Sequence, residues 1–327
     1  MLLALALVLT LPAQPKLQPK RPPAAPAPRL LGEYVSLETG SSTLRGIIDL
    51  PSRPGPWPVV LLHAGSGPTN KDGNSRGIAT DNLKMLGRAL AAEGIAVLRI
   101  DKRGVGSSLF ALTREEEASP QLYASDVVAW IKFLRKDQRF TKVGFIGHSE
   151  GALIGLLAAK DARFDAYVSI CGMGRTYQEL LREQLKKNLP GELYKKSDEI
   201  MDELSAGHSV KEVPKALSSL FRPSVQPFLI AAFKIDPAKL MAEMKCPVLI
   251  VAGSMDIQVS ATEAKRLGEA NPNAKVATIQ GMDHVLKTSQ VANKFAQLPS
   301  YLDPSRPLHP KLLIEVGGFL KAILGAK

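Results

Sequence analysis

From Trp57 onward, short apolar runs alternate with longer stretches whose apolar residues recur at helical spacing. The runs WPVVLLHA, IAVLRID, KVGFIGH, FDAYVSIC, CPVLIVAGS and AKVATIQ are short and almost wholly apolar, as strands buried on both faces are. Between them, IATDNLKMLGRALAAEG, LYASDVVAWIKFLRKD, EGALIGLLAAKD and SATEAKRLGEA read as helices, and PKLLIEVGGFLKAILGA closes the chain as another. Strands joined in turn by helices need crossover connections. The pattern therefore predicts an α/β fold, a mostly parallel central sheet with helices on both faces. Upstream, GEYVSLET and STLRGIIDL read as a hairpin turning at Gly40 and Ser41.

The alternation breaks once. Residues 174–244 are charged and helical in pattern, and nothing there reads as a central strand. A segment of this length between two sheet strands reads as an inserted helical cap, leaving 33–173 and 245–327 as the core. The 327 residues are 45% hydrophobic and 22% charged, enough for one large core carrying such an insertion.

Residues 1–13 open with MLLALALVLT and reach small residues at Ala13, which reads as the apolar core of a secretory signal, too short to span a bilayer. Residues 14–32, rich in Pro with Ala, Gln and Lys, read as an extended tether. The expectation is an exported protein, periplasmic, extracellular or tethered at the cell surface, with a cytoplasmic protein as the alternative. The net charge is +11, without a run of five like charges or a nucleic-acid motif. That balance predicts a solvated basic surface, weak attraction to an anionic cell surface, and no nucleic-acid partner. Cys171 ends one strand run and Cys246 precedes the next. In neighbouring parallel strands they stand roughly 16 Å apart, too far for a disulfide, so two free thiols are expected.

The chemistry-bearing signal is GHSEG at 147–151, between the strand VGFIG and the helix EGALIGLLAA. Glycines two positions before and after Ser149 permit a sharp strand-to-helix turn that exposes its hydroxyl above the sheet. Ser149 is the candidate nucleophile. A serine needs a base, and the base an orienting carboxylate. On such a sheet these follow in the order Ser, Asp or Glu, His, each just after a strand. Asp256, after PVLIVAG, and His284, after AKVATIQ, satisfy that order. Asp283 adjoins His284 and reads as a loop-capping residue; Asp101 and Asp126 precede the serine; His148 reads as a packing or hydrogen-bonding residue. The oxyanion donors expected are the N–H of Glu150 and an N–H from the glycine-rich loop AGSGPTNKDGN, at Gly65 or Ser66, with Ser66 favoured. Phe221, Phe228 and Phe233 in the segment FRPSVQPFLIAAF are candidate pocket-wall residues, though helix packing explains them equally. No metal cluster or cofactor motif is present in the sequence.

These residues resemble the α/β-hydrolase superfamily over roughly Glu33 to the end. GHSEG resembles its nucleophile elbow, and DKRGVGSS, directly after the strand IAVLRI, resembles its mainly structural Asp-x-Arg-Gly-x-Gly-x-Ser loop. AGSGPTNKDGN, GHSEGALIG, FRPSVQPF and GMDHVLK together resemble a branch of bacterial carboxylesterases, dienelactone-hydrolase-like or serine-aminopeptidase-like. The resemblance implies the α/β-hydrolase fold with a cap and cofactor-free ester hydrolysis by Ser149, His284 and Asp256. The expected substrate is a small-molecule ester of a small to medium acyl group, reacting through an acyl-enzyme. Two alternatives keep the same scaffold: a peptidase or acyltransferase on the same triad, and a non-catalytic tethered binding domain.

Overall fold

A computed structural model describes residues 32–40 and 42–326. The signal-like stretch 1–13 and all but the last residue of the tether 14–32 lie outside the described residues. Eight strands form one sheet: β1 Gly32–Thr39, β2 Ser42–Asp49, β3 Trp57–His63, β4 Ala96–Ile100, β5 Phe140–His148, β6 Tyr167–Ile170, β7 Val248–Gly253 and β8 Lys275–Ile279. Their spatial order is β1-β2-β4-β3-β5-β6-β7-β8. β2 pairs antiparallel with β1 and β4, and every other neighbouring pair is parallel.

Eleven α-helices accompany the sheet among the described residues. In the core these are α1 Asn82–Ala92, α2 Pro120–Lys136 and α3 Glu150–Ala162. After β6 come α4 Tyr177–Asn188, α5 Gly191–Ala206, α6 Ser218–Phe221, α7 Gln226–Phe233 and α8 Pro237–Ala242. The last are α9 Ala261–Ala270, α10 Lys294–Leu302 and α11 Pro310–Leu324. Local chemistry sets several of their starts. Ser119 caps α2 ahead of Pro120, whose missing N–H costs nothing in the first turn. Thr176 and Glu179 form a reciprocal capping box at α4. Asp236 caps α8.

Side chains of the central strands point alternately to the two faces. Val59 and Leu61 pack with α2, α3 and α9 on one side, around the fully buried Trp130. Val60 and Leu62 pack with α1 and α11 on the other. This two-sided burial explains why the central strand runs are mostly apolar on both faces. Between β6 and β7 the chain leaves the sheet. Leu181, Leu185, Met201, Leu204, Phe221 and Leu229 bury one another in a separate apolar cluster of α4 to α7. Both cysteines are free, as their strand positions require. Among the described residues, no helix is long and apolar enough to cross a membrane.

Candidate functional site

Ser149 lies between β5 and α3 with φ 55° and ψ −124°, a backbone conformation rarely adopted by a residue with a side chain. Its N–H donates to Ile170 O at 2.8 Å, anchoring the turn to β6. The flanking glycines are dictated by contact. A Cβ on Gly147 would sit 2.4 Å from the backbone of Ala152, and one on Gly151 2.5 Å from His63 O. Both obstacles are main chain, so neither can move aside. The turn therefore demands glycine at the two positions that GHSEG supplies.

Asp256 follows β7 and His284 follows β8. Asp256 Oδ1 accepts the N–H groups of Gln258 and Val259 at 2.8 and 2.9 Å; Oδ2 lies 2.7 Å from His284 Nδ1. A carboxylate can only accept, so Nδ1 carries the ring proton and Nε2 keeps its lone pair. Both residues are buried. Ser149 and His284 line one cleft, although Ser149 Oγ makes no hydrogen bond among the described residues.

β8 stands three strands from β5, about 14 Å away at normal sheet spacing, so the His284 loop must return across the sheet edge. His148 is part of what holds it there. Its Nε2–H donates to His284 O at 2.8 Å. Burial and the neighbouring His284 push the His148 pKa down to about 3, which keeps this ring neutral. Cys171 lies beside these groups at φ 52°. Potential ligand atoms of His148, Cys171 and His284 come within 4.8 Å of one another, the one candidate metal group of at least three ligands among the described residues. Both imidazoles are already hydrogen-bonded, to Asp256 and to His284 O.

The loop after β3 runs beside the nucleophile; a Cβ on Gly65 would lie 3.1 Å from Ser149 Cβ. Lys102 holds this loop from beneath. Its buried ammonium donates to Gly65 O and, at 2.8 Å, to Gly67 O. Burial lowers the Lys102 pKa, opposed by the charge of Glu150. The adjacent residues act outward in the same way. Asp101 accepts from Lys71 N at 2.8 Å and from Lys71 Nζ and Ser107. Arg103 forms two 2.7 Å hydrogen bonds to Asp126. Asp126 and Asp101 are thus committed to structure, and Asp283 accepts from Lys287 N at 2.9 Å. Glu150 is buried, which raises its carboxyl pKa; Tyr177 of α4 hydrogen-bonds to it and to Ser66.

The three candidate pocket phenylalanines separate. Phe228 lines a cavity of about 630 Å³ that reaches Ser149. Phe221 is fully buried inside the α4–α7 cluster, and Phe233 is buried there against Tyr177, with ring centroids 6.3 Å apart. An aromatic on the inner face of a helix pair packs against its own layer first, so Phe221 and Phe233 follow the helix-packing alternative and Phe228 alone follows the pocket-wall one. Lys102 and the hydrogen-bond partner of His148 are the site features least visible in sequence. A lysine beside two charged neighbours reads as surface.

A family model described as serine aminopeptidase, S33, matches residues 79–288. Esterase EstD of Thermotoga maritima is 26% identical over 279 residues, which is 78% of this chain and 62% of EstD. The chain thus spans less than two thirds of the length of that curated relative. Among solved structures, Est1E from Butyrivibrio proteoclasticus with ferulic acid bound superposes with a TM-score of 0.61 at 17% identity. That match covers 90% of this chain and 100% of Est1E. The Pyrococcus furiosus esterase Pf2001 gives 0.58 at 19% identity, over 94% and 98% of the two chains. At such identities the likeness is one of fold, and the fold is that of the α/β hydrolases.

Proposed function

The chain belongs to the serine aminopeptidase S33 family of α/β hydrolases, and from that premise we propose that it cleaves carboxylic esters through Ser149, His284 and Asp256. The observation that carries this reading is the 2.7 Å Asp256–His284 hydrogen bond, in the cleft that holds Ser149 on its sharp turn. Asp256 fixes the ring so that Nε2 faces the reaction as a base. On substrate binding Nε2 takes the Ser149 proton while Oγ bonds to the acyl carbon. Apo sites commonly hold this serine–imidazole contact open, and substrate tightens it. Collapse of the tetrahedral intermediate breaks the bond between acyl carbon and alcohol oxygen, and the departing oxygen takes the proton from Nε2. Water then repeats the sequence on the acyl-serine and releases the acid.

The intermediate's oxyanion is held by backbone N–H groups, one of them from Glu150 at the start of α3. Between Gly65 and Ser66 the choice follows from Lys102. A trans peptide points its C=O and N–H in opposite directions. With Gly65 O drawn down to the ammonium, the Ser66 N–H turns toward the cleft, and this supports Ser66 as the second donor. Residues 174–244 act as a cap, since Leu180, Leu181 and Phe228 line the cavity that reaches the serine.

Ester rather than N-terminal peptide cleavage is favoured by the cavity's acids. An aminopeptidase needs a carboxylate for the substrate's ammonium group. Among the described lining residues, Glu115 is held by Arg222 and Ser224, and Glu150 is buried beside Lys102. Ser149→Ala should abolish turnover of p-nitrophenyl esters and labelling by a fluorophosphonate. Turnover retained within tenfold would refute the assignment, and preference for aminoacyl anilides over simple esters would reverse the substrate reading.

A further inference from the structure

α10 is amphipathic the wrong way round. Its buried residues are Gln297 and Ser300, and Gln297 Nε2 donates to Met255 O at 2.6 Å and to Val291 O at 3.0 Å. Phe295, Leu298 and Leu302 stand on the other face, 68%, 37% and 51% exposed. At helical spacing they fall within about 60° of one another around the axis. Val291, in the segment leading into the helix, is also exposed. Four of the nine large apolar side chains exposed among the described residues thus lie between 291 and 302. Over residues 289–302 the sequence carries one charge, Lys294. A helix that buries its amide and leaves its leucines and phenylalanine in water presents an interaction surface.

We propose that this face of α10 docks on an anionic lipid surface and sets the Ser149 cleft against it. The size of the face argues against a second copy of the chain. Nine residues make a helix about 14 Å long and about 10 Å wide. That is well short of the roughly 800 Å² each partner of a stable dimer buries. A two-fold interface also repeats one patch on both sides, so the cations of one copy would face those of the other. A lipid surface needs no matching contour: a few bulky apolar side chains sink among the acyl chains while cations meet the headgroups. The cations are present. Lys294 lies on α10, and Arg306 follows it, donating to Thr288 O at 3.4 Å. Arg76 is exposed in the loop whose Ala79 N–H donates to Tyr301 O at 2.9 Å. Asp303, the one acid over residues 289–306, accepts from Ser305 N at 2.9 Å. In the neighbouring loop Asp72 pairs with Arg99 and Asp81 with Lys84.

The same helix borders the cleft. Tyr301 lines it together with Ser149 and His284. The Tyr301 hydroxyl accepts from Gln258 Nε2 at 2.8 Å, and the Gln258 N–H donates to Asp256 Oδ1 at 2.8 Å. With the Gln297 bond to Met255 O, α10 is tied at two points to the loop that carries Asp256. Docking through its outer face therefore holds the cleft at the level of the headgroups. Resting on the hydrolase reading above, the substrates favoured are esters dissolved in the lipid rather than in water.

The test is sedimentation of the full chain with vesicles of phosphatidylcholine and phosphatidylglycerol in equal parts, and with phosphatidylcholine alone. Partitioning should be stronger on the mixed vesicles, and Lys294→Gln should weaken it there by about fivefold. The double variant Phe295→Ser, Leu302→Ser should weaken it by about tenfold or more. Ile314→Ser removes an equally exposed side chain on α11 and should change nothing. The apolar residues 2–9 are common to all these proteins, so any binding they supply cancels in the comparison. In the double variant, turnover of p-nitrophenyl acetate in water should be unchanged, while that of p-nitrophenyl octanoate dissolved in mixed vesicles falls with binding. Failure of the wild type to bind, or equal partitioning of wild type and double variant, overturns the docking surface. So does a dimer, seen by light scattering, that the double variant abolishes. Loss of binding without loss of vesicle-borne turnover removes the substrate reading alone. Partitioning needs no turnover and stays readable in Ser149→Ala. A protein that binds vesicles but neither labels with a fluorophosphonate nor cleaves any ester would end the hydrolase reading and keep the docking one.

Discussion

Asp256 is buried, bonded to His284 and to two backbone N–H groups, so its replacement by asparagine keeps the shape and changes one property. An amide nitrogen at Oδ2 would donate, leaving Nδ1 to accept and Nε2 to carry the proton. The base is then in the wrong tautomer. Asp256→Asn should lower kcat by about 10³–10⁴ with little change in melting temperature. A loss under tenfold in steady-state assays would show that Asp256 does not orient the ring. The grouping of Ser149, Asp256 and His284 at one edge of the sheet was legible because each follows closely on an apolar run and the three come in a fixed order. The partners of His148 were not. Its bond to His284 O spans 136 residues of sequence, and nothing local to GHSEG announces it. Phe221, Phe228 and Phe233 share one short segment, and only packing decides which of them reaches the cavity.

At the scale of elements, the loops after β3 and β4 form one device. The buried ammonium of Lys102 holds two carbonyls of the neighbouring loop. Lys102→Met should leave Gly65 O and Gly67 O without their donor and let the peptide rotate. The expected result is a fall in kcat of about 10²–10³, as for loss of an oxyanion donor, with KM changed less than threefold. A variant impaired in KM alone would assign Lys102 to substrate binding instead. The alternation of strands and helices was readable here because buried parallel strands are mostly apolar on both faces. α10 was not, since Pro299 sits inside it and breaks the helical reading.

Across the whole molecule, two neutral histidines lie within the folded core. Burial pushes His63 and His148 down from an ordinary value of 6.5 to about 3. Between those limits the unfolded chain binds protons that the folded one refuses. Their contribution to stability is complete above pH 6.5 and is lost as the pH falls toward 3. Each histidine sets a slope of up to about 1.4 kcal/mol per pH unit. Urea midpoints measured at pH 7, 6, 5 and 4 should fall steadily, and more gently in His148→Gln, whose amide still donates to His284 O. Equal slopes in the two proteins would remove His148 from this account. The separate apolar cluster of α4 to α7 was foreseeable as a helical insertion, but the cavity beneath it depends on how far those helices stand off the sheet.

The lysine clamp spans two adjacent strands. β3 and β4 pair in parallel through Val59–Ala96 to Leu62–Arg99, and Lys102 and Gly65 follow them by only a few residues. Slippage of this ladder by a single step would carry the ammonium about 3.3 Å along the sheet and turn it to the opposite side. Turnover rate is therefore a gauge of strand alignment, sensitive to mispairing that leaves helix content and compactness untouched.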